Sequence, residues 1–211
     1  MDNTYWGGDL TIPTPRPSYQ INDTAPGTDV AAGTSAAFSA CAALYDNRGF
    51  NGSFTNPASL QNATYAQTLL AHAQSLYSFA VNATGGQKTY QNSVPAVAQS
   101  YPSSSYEDEL TLAALFLAWA ENCTDLYQQA TNYYDQFSLQ GQNSVFNWDS
   151  KTPALPILFA QIAQSNSGLG GNFSSWQAEA ERYFDDIVYK NQSGFLTQGN
   201  NHLIARQTIC I

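Results

Sequence analysis

Ser105-Tyr106-Glu107-Asp108-Glu109-Leu110-Thr111-Leu112-Ala113-Ala114-Leu115-Phe116-Leu117-Ala118-Trp119-Ala120 decides how the rest of the chain is read. Three consecutive carboxylates stand at the mouth of a run in which nearly every position from Leu110 to Ala120 is apolar. A surface helix shows one apolar stripe, so a helix apolar on all sides is enclosed on all sides. Ser105, with Asp108 three residues on, reads as an N-cap and its capping-box partner, and the acids suit the positive end of a helix dipole. The stretch predicts a central buried helix carrying acid at one end.

Outward from this helix the sequence repeats a pattern. Upstream, residues 1–28 hold Ile12-Pro13-Thr14-Pro15-Arg16-Pro17, which cannot be helical because each proline removes a donor and biases its predecessor toward extended backbone. Thr28 or Asp29 then caps a helix from Val30 to about Asp46, built of small side chains that let a neighbour approach closely. Pro57 opens a second helix in which Ala66, Leu69, Leu70, Ala73, Leu76, Tyr77 and Ala80 recur at three- and four-residue spacing. Residues 87–104 read as a long loop before the central helix. Downstream, Leu126, Ala130, Tyr133, Tyr134 and Phe137 share one face of a helix, and residues 143–149 form a second loop. A further apolar helix starts near Pro153, with Pro156 tolerable only in its first turn, and a last one aligns Trp176, Ala180, Tyr183, Phe184, Ile187 and Val188.

The expectation is an all-α chain without strands. Inner helices poor in charge (29–46, 106–121, 153–164) alternate with amphipathic ones (58–82, 125–138, 174–190), giving three helical hairpins in tandem. Buried and half-buried helices in alternation suit an α/α toroid, of which three hairpins form only part. End units of such repeats expose apolar flanks unless covered, so self-association through the open barrel is expected.

Charged residues make up only 11% of the 211 residues and the net charge is -9, so clustered basic patches for nucleic acid are absent from the composition. No stretch approaches the ~18 unbroken apolar residues of a membrane span. The first residues lack the basic and apolar segments of a secretory signal. Asn22, Asn51, Asn62, Asn82, Asn122, Asn172 and Asn191 each open an Asn-x-Ser/Thr sequon, which leans toward a secreted glycoprotein. Cys41, Cys123 and Cys210 are odd in number and lack metal-ligand spacing; they read as buried or unpaired thiols.

Asp108 and Glu109 are adjacent hard-oxygen donors, and Asp149 could complete a calcium set from the second loop, with helix capping as the plainer reading. Trp6 and Trp148 lie in loops beside Gly or Asp, where a flat apolar face can stack on a sugar, although a lone Trp is more often core. Tyr106 and Trp119 read as core, and His72 as a structural mid-helix histidine.

Several motifs occur in an order that resembles one family. Tyr5-Trp6-Gly7, Arg16-Pro17-Ser18-Tyr19, Pro26-Gly27-Thr28-Asp29-Val30-Ala31-Ala32, Leu69-Leu70-Ala71-His72-Ala73, Tyr106-Glu107-Asp108-Glu109-Leu110 and Trp148-Asp149-Ser150-Lys151 resemble, in sequence order, the motifs of glycoside hydrolase family nine, the cellulase family of endoglucanases, its fungal members included. Gly33 stands where that family usually has Glu, and Tyr101-Pro102-Ser103 where it often has more aromatics.

The resemblance implies a partial (α/α)6 toroid over residues 1–199 and inverting hydrolysis of β-1,4-glucosidic bonds in cellulose or β-glucan. It implies substrate contacts at Trp6, Trp148 and Asp149, and structural calcium held by Ser104, Ser105, Asp108, Glu109 and Asp149. It also implies a secreted full-length protein. Inversion needs a carboxylate base and a carboxylic acid on opposite faces of the bond, and Glu107, Asp108 and Glu109 are too close together to supply both. Asp9, Asp29, Asp149 and Glu121 remain without a mark of either role. The family has its base in an Asp-Ala-Gly-Asp motif before the Trp-Gly segment and its acid Glu after a His-x-Arg region; neither is found here. No catalytic residue is assigned, and the chain alone is expected to be inactive, a central fragment. Residues 200–211 read as a tail unrelated to the family, so His202 and Arg206 are not equated with the family's His and Arg. The alternatives are a non-enzymatic glycan-binding or interaction fragment using Trp6 and Trp148, and a helical scaffold without a sugar role.

Overall fold

The structure, a computed structural model, describes residues 5–15, 17–48, 60–189, 195–197 and 203–205. Its helices are α1 (Thr28–Tyr45), α2 (Ala63–Asn82), the single turn α3 (Tyr90–Ser93), α4 (Glu107–Glu121), α5 (Thr124–Gln136), α6 (Leu155–Ser165) and α7 (Phe173–Val188). The six long helices form three antiparallel pairs, α1 with α2, α4 with α5 and α6 with α7, as expected of a partial toroid.

The inner helices are α1, α4 and α6. Along α4, Leu110, Ala113, Ala114, Leu115, Leu117 and Ala118 are at most 1% exposed, and only the face of Leu112 and Phe116 is half-buried. Each buried leucine contributes roughly 1.5–3 kcal/mol through surface removed from water. Helices α1, α2, α5 and α6 all pack on it. Small residues permit the tightest of these contacts: α1 buries Ala31, Ala32, Ser35, Ala36, Ser39, Ala42 and Ala43 against its neighbours. The buried Ser35 hydroxyl donates to Ala73 O of α2 at 2.7 Å, and Ser39 to Ser35 O at 2.8 Å, so neither polar group is orphaned. On α6, Phe159 is fully buried and stacks on Trp176 of α7 with ring centroids 4.1 Å apart. Tyr106 and Trp119 belong to the core, as read from the sequence.

Helix ends differ in detail from the expectation. Helix α1 begins at Thr28 with Gly27 as N-cap, so neither Thr28 nor Asp29 caps it; both side chains instead bond segment 88–90. Tyr106 is the N-cap of α4, and Ser105 pairs with Glu107, accepting its N–H at 3.0 Å and donating to its carboxylate at 2.5 Å. The expected Ser105–Asp108 capping box is therefore shifted by one residue, which frees Asp108 for a contact across the fold. Helix α2 starts after Asn62, whose side chain accepts Tyr65 N–H, rather than near residue 58; residues 49–59 lie outside the described set. The expected loop 87–104 contains α3 and a 3-10 turn at Pro95–Val97. Pro156 does fall in the first turn of α6. Asn122, at φ 57°, ends α4 in the left-handed region that Asn tolerates better than most residues.

One feature was not foreseen: β1 (Phe195–Thr197) and β2 (Leu203–Ala205) pair antiparallel, Phe195 opposite Ala205. Three-residue strands are too short for an alternating pattern to register. The expected change of character after residue 199 falls mostly outside the described residues, as do Cys210, Asn51 and Asn191. Among the described residues, the exposed Cys41 and the half-buried Cys123 form no disulfide. Among the described residues no helix is long and apolar enough to cross a membrane.

Candidate functional site

Antiparallel pairing puts the N-termini of α1, α4 and α6 at one end of the molecule, and the chain folds three loops over that end. Segment 87–94 is fastened to the start of α1: Thr28 N–H donates to Lys88 O at 2.8 Å, Lys88 N–H to Thr28 Oγ1 at 3.1 Å, and Tyr90 N–H to Asp29 Oδ1 at 2.9 Å. Tyr90 Oη then donates to Tyr101 O at 2.7 Å, and Gln91 Nε2 to Ser103 O at 2.7 Å. Ser104 N–H reaches Asp149 Oδ1 at 2.8 Å. The third loop closes on α4, with Lys151 N–H on Asp108 Oδ2 at 2.5 Å and Lys151 Nζ on Glu109 Oε1 at 2.8 Å. Lys151 Nζ also donates to Trp148 O.

Loop 143–151 is shaped by its own sequence. Asn147 Oδ1 accepts the N–H groups of Asp149 (2.7 Å) and Ser150 (3.0 Å), an Asx turn of the kind short amide side chains favour. Arg182 of α7 anchors the preceding residues, binding Asn143 Oδ1 at 2.7 Å and Gln142 O at 3.4 Å while paired to Glu179 and Asp186.

Between these loops lies an open groove of about 370 Å³, lined by Asp29, Tyr90, Tyr101, Glu109, Trp148 and Lys151 among others. Trp148 is half exposed and meets Tyr101 edge-on, with centroids 5.4 Å apart. Asp29 and Glu109 are buried, and among the described residues Asp29 Oδ2 and Glu109 Oε2 have no hydrogen-bond partner. Burial pushes the Glu109 carboxyl up to about 8; the neighbouring Asp108 adds to this and Lys151 pulls the other way. The Tyr90 phenol is raised by burial and then by Asp29. An aromatic edge beside carboxyl and ammonium groups offers apolar contact and hydrogen bonding together, as a sugar ring requires.

Trp148, Asp149, Ser104, Ser105, Asp108 and Glu109 come together at this end. Trp6 does not line the groove and is 96% exposed. His72 is exposed on α2 with its ring 6.0 Å from Phe38. Sequence reasoning missed Tyr90, Tyr101 and Lys151 as groove residues; Lys151 stood in a quoted motif, but nothing local shows that its ammonium reaches α4. In chemistry the donors suit a hard cation, and the unpartnered buried Glu109 Oε2 is an oxygen such an ion would satisfy. In arrangement they are committed elsewhere: Asp108, Glu109 and Asp149 each accept a protein N–H, and among the described residues no three His, Cys, Asp or Glu side chains converge on one point.

The model of Glycosyl hydrolase family 9 matches residues 1–209. The chain belongs to this family. Endoglucanase 15 of Arabidopsis thaliana is 30% identical over 191 residues, covering 90% of this chain and 35% of its own length. Endoglucanase 14 of Oryza sativa subsp. japonica is 31% identical, covering 89% and 31% respectively. The solved structure of an endoglucanase from the termite Nasutitermes takasagoensis superposes with a TM-score of 0.71 at 28% identity, over 88% of this chain and 37% of that one. The family 9 chain thus spans about a third of the length of these relatives, and the similarity to the termite protein extends the helical arrangement to a solved fold.

Proposed function

We propose that this chain forms part of a family 9 endoglucanase catalytic domain that hydrolyses β-1,4-glucosidic bonds of cellulose or β-glucan with inversion, in a secreted protein. The observation that carries the reading is the groove itself, where the exposed Trp148 and Tyr101 rings stand beside buried Asp29 and Glu109. In this proposal Trp148 stacks on a glucosyl ring, Asp149 holds its loop in place, and Trp6 supplies a contact outside the groove. Hydrolysis needs an acid and a base on opposite faces of the bond. Asp108 and Asp149 are occupied in holding loops, so the chain by itself is expected to turn over little substrate. Titration with cello-oligosaccharides, followed by calorimetry, together with release of reducing sugar from soluble cellulose, tests both halves. Absence of binding, or loss of binding with Trp6 but not Trp148 removed, would overturn the assignment of the groove.

A second reading is favoured by the same commitment of the carboxylates: a glycan-binding fragment without chemistry. Binding with no turnover supports it.

Calcium remains a proposal for the knot of Ser104, Ser105, Asp108, Glu109 and Asp149. Bound there, it would supply charge balance for the carboxylates and cross-link the two loops to α4. A melting temperature unchanged between excess calcium and chelator would remove it. Self-association through the open flank is likewise proposed, supported by the exposed Phe184 and Val188 on α7 and Tyr189 at its C-cap; a monodisperse monomer in size-exclusion chromatography would count against it.

A further inference from the structure

Three of the seven sequons share a structural position. Asn62 is the N-cap of α2, Asn122 ends α4 two residues before α5 begins, and Asn172 is the N-cap of α7. Each therefore stands where an outer helix of a hairpin begins. Inner and outer helices run antiparallel, so these three starts lie at the end opposite the groove. Cross-links agree: Asn62 N–H donates to Tyr45 O at the end of α1 at 3.0 Å, and Asn166, at the end of α6, donates from Nδ2 to Asn122 Oδ1.

All three asparagines are exposed, and their side-chain roles spare the atom that would carry a sugar. Asn62 Oδ1 accepts Tyr65 N–H at 3.0 Å, and Asn172 Oδ1 accepts Ser175 N–H at 3.3 Å and the Ser174 hydroxyl at 3.1 Å. The oxygen does the capping at Asn62 and Asn172 and takes the Asn166 bond at Asn122, while Nδ2 makes no hydrogen bond at any of the three among the described residues. A glycan on Nδ2 keeps the carbonyl oxygen and hence the cap. By contrast, Asn82 Nδ2 donates to Ser78 at 3.4 Å, and Asn82 and Asn22 lie at the groove end, near Thr84 and Asp23.

We propose that Asn62, Asn122 and Asn172 carry N-linked glycans, which cover the face opposite the groove and leave the groove end open to a polymeric substrate. The proposal rests on the secretory part of the proposed function, and no part of it depends on glucan binding. Its chemistry is that of the sequon, a bulky hydrated group on a surface asparagine.

The test is export of the full chain from a yeast host behind a secretory leader, which fixes the route independently of the natural one. Peptide mapping after enzymatic release of N-glycans in heavy-oxygen water then reads each Asn as converted to Asp or not. Conversion at all three is expected. Thr64→Ala, Thr124→Ala and Ser174→Ala remove each sequon but keep the asparagine, and each should abolish one step of gel mobility while the chain stays folded by circular dichroism. An exported, folded chain with any of the three bare, or with sugar confined to other sequons, would overturn the proposal. Cello-oligosaccharide affinity, measured on the same material, reports separately on the groove.

Discussion

Asp149 is the residue on which the arrangement of the groove can be tested most directly. Its Oδ1 accepts Ser104 N–H at 2.8 Å across 45 residues of sequence, joining the loop that carries Trp148 to the loop that carries Tyr101. A hydrogen bond to a charged acceptor is worth about 1.5–3 kcal/mol. Asp149 is only half-buried, so the lower half of that range applies. Asp149→Ala also loosens the edge contact of Tyr101 with Trp148, worth about 0.5–1.5 kcal/mol. Because the bond is partly solvated and the ring contact is loosened rather than lost, the low ends of both ranges apply and sum to about 2 kcal/mol, whereas Asp149→Asn keeps a neutral acceptor and should lose about half as much. In urea, with a slope of roughly 2 kcal/mol/M, the alanine variant should unfold at a midpoint lower by about 1 M with the slope unchanged. Tryptophan emission should shift toward that of exposed indole, and cello-oligosaccharide affinity should fall. If Asp149→Ala unfolds within 0.5 kcal/mol of the parent with unchanged emission, the loop-to-loop tie is not what holds the groove together.

Four further outcomes are expected. Phe159→Ala should cost about 3–5 kcal/mol in chemical denaturation, because it empties a fully buried site between Trp176, Tyr127 and Tyr134; a cost under 1 kcal/mol would contradict the packing of α6 on α7. Gly33→Ala should stabilise by about 0.5–1 kcal/mol, since Gly33 lies inside α1 and an added Cβ would meet only Glu109 Cγ at 3.6 Å. Burial pushes the Tyr127 phenol up to about 12, with the Trp176 side chain pulling the other way, against about 10 in an unfolded chain. Its contribution to stability is thus complete below pH ~10 and lost as pH rises toward 12, and Tyr127→Phe should flatten alkaline unfolding. Asn62→Ala should lower stability by about 1 kcal/mol through loss of the α2 N-cap; Asn62→Gly, measured alongside, should lose only a few tenths.

Much of the fold could be read locally. Nearly continuous apolar character from Leu110 to Ala120 placed α4 at the centre, and the three- and four-residue spacing in α2, α5 and α7 marked the outer helices, because periodicity records which faces meet water. Helix starts were less legible: Ser105 offered a hydroxyl, but whether it served Glu107 or Asp108 depended on where Asp108 was needed. The acidic triplet, Trp148 and Asp149 could be singled out as chemistry-bearing from residue type and motif order.

What sequence by itself determined is therefore the inventory: six long helices, their inner or outer character, the family and the residues at the mouth of α4. Only the tertiary structure decided their company. Lys151 on Glu109, Asp149 on Ser104, Tyr90 on Asp29 and Tyr101 beside Trp148 join residues that no periodicity connects. Such contacts exist because antiparallel hairpins return every inner helix to the same end, where loops far apart in the chain must satisfy one another's backbone and buried carboxyl groups.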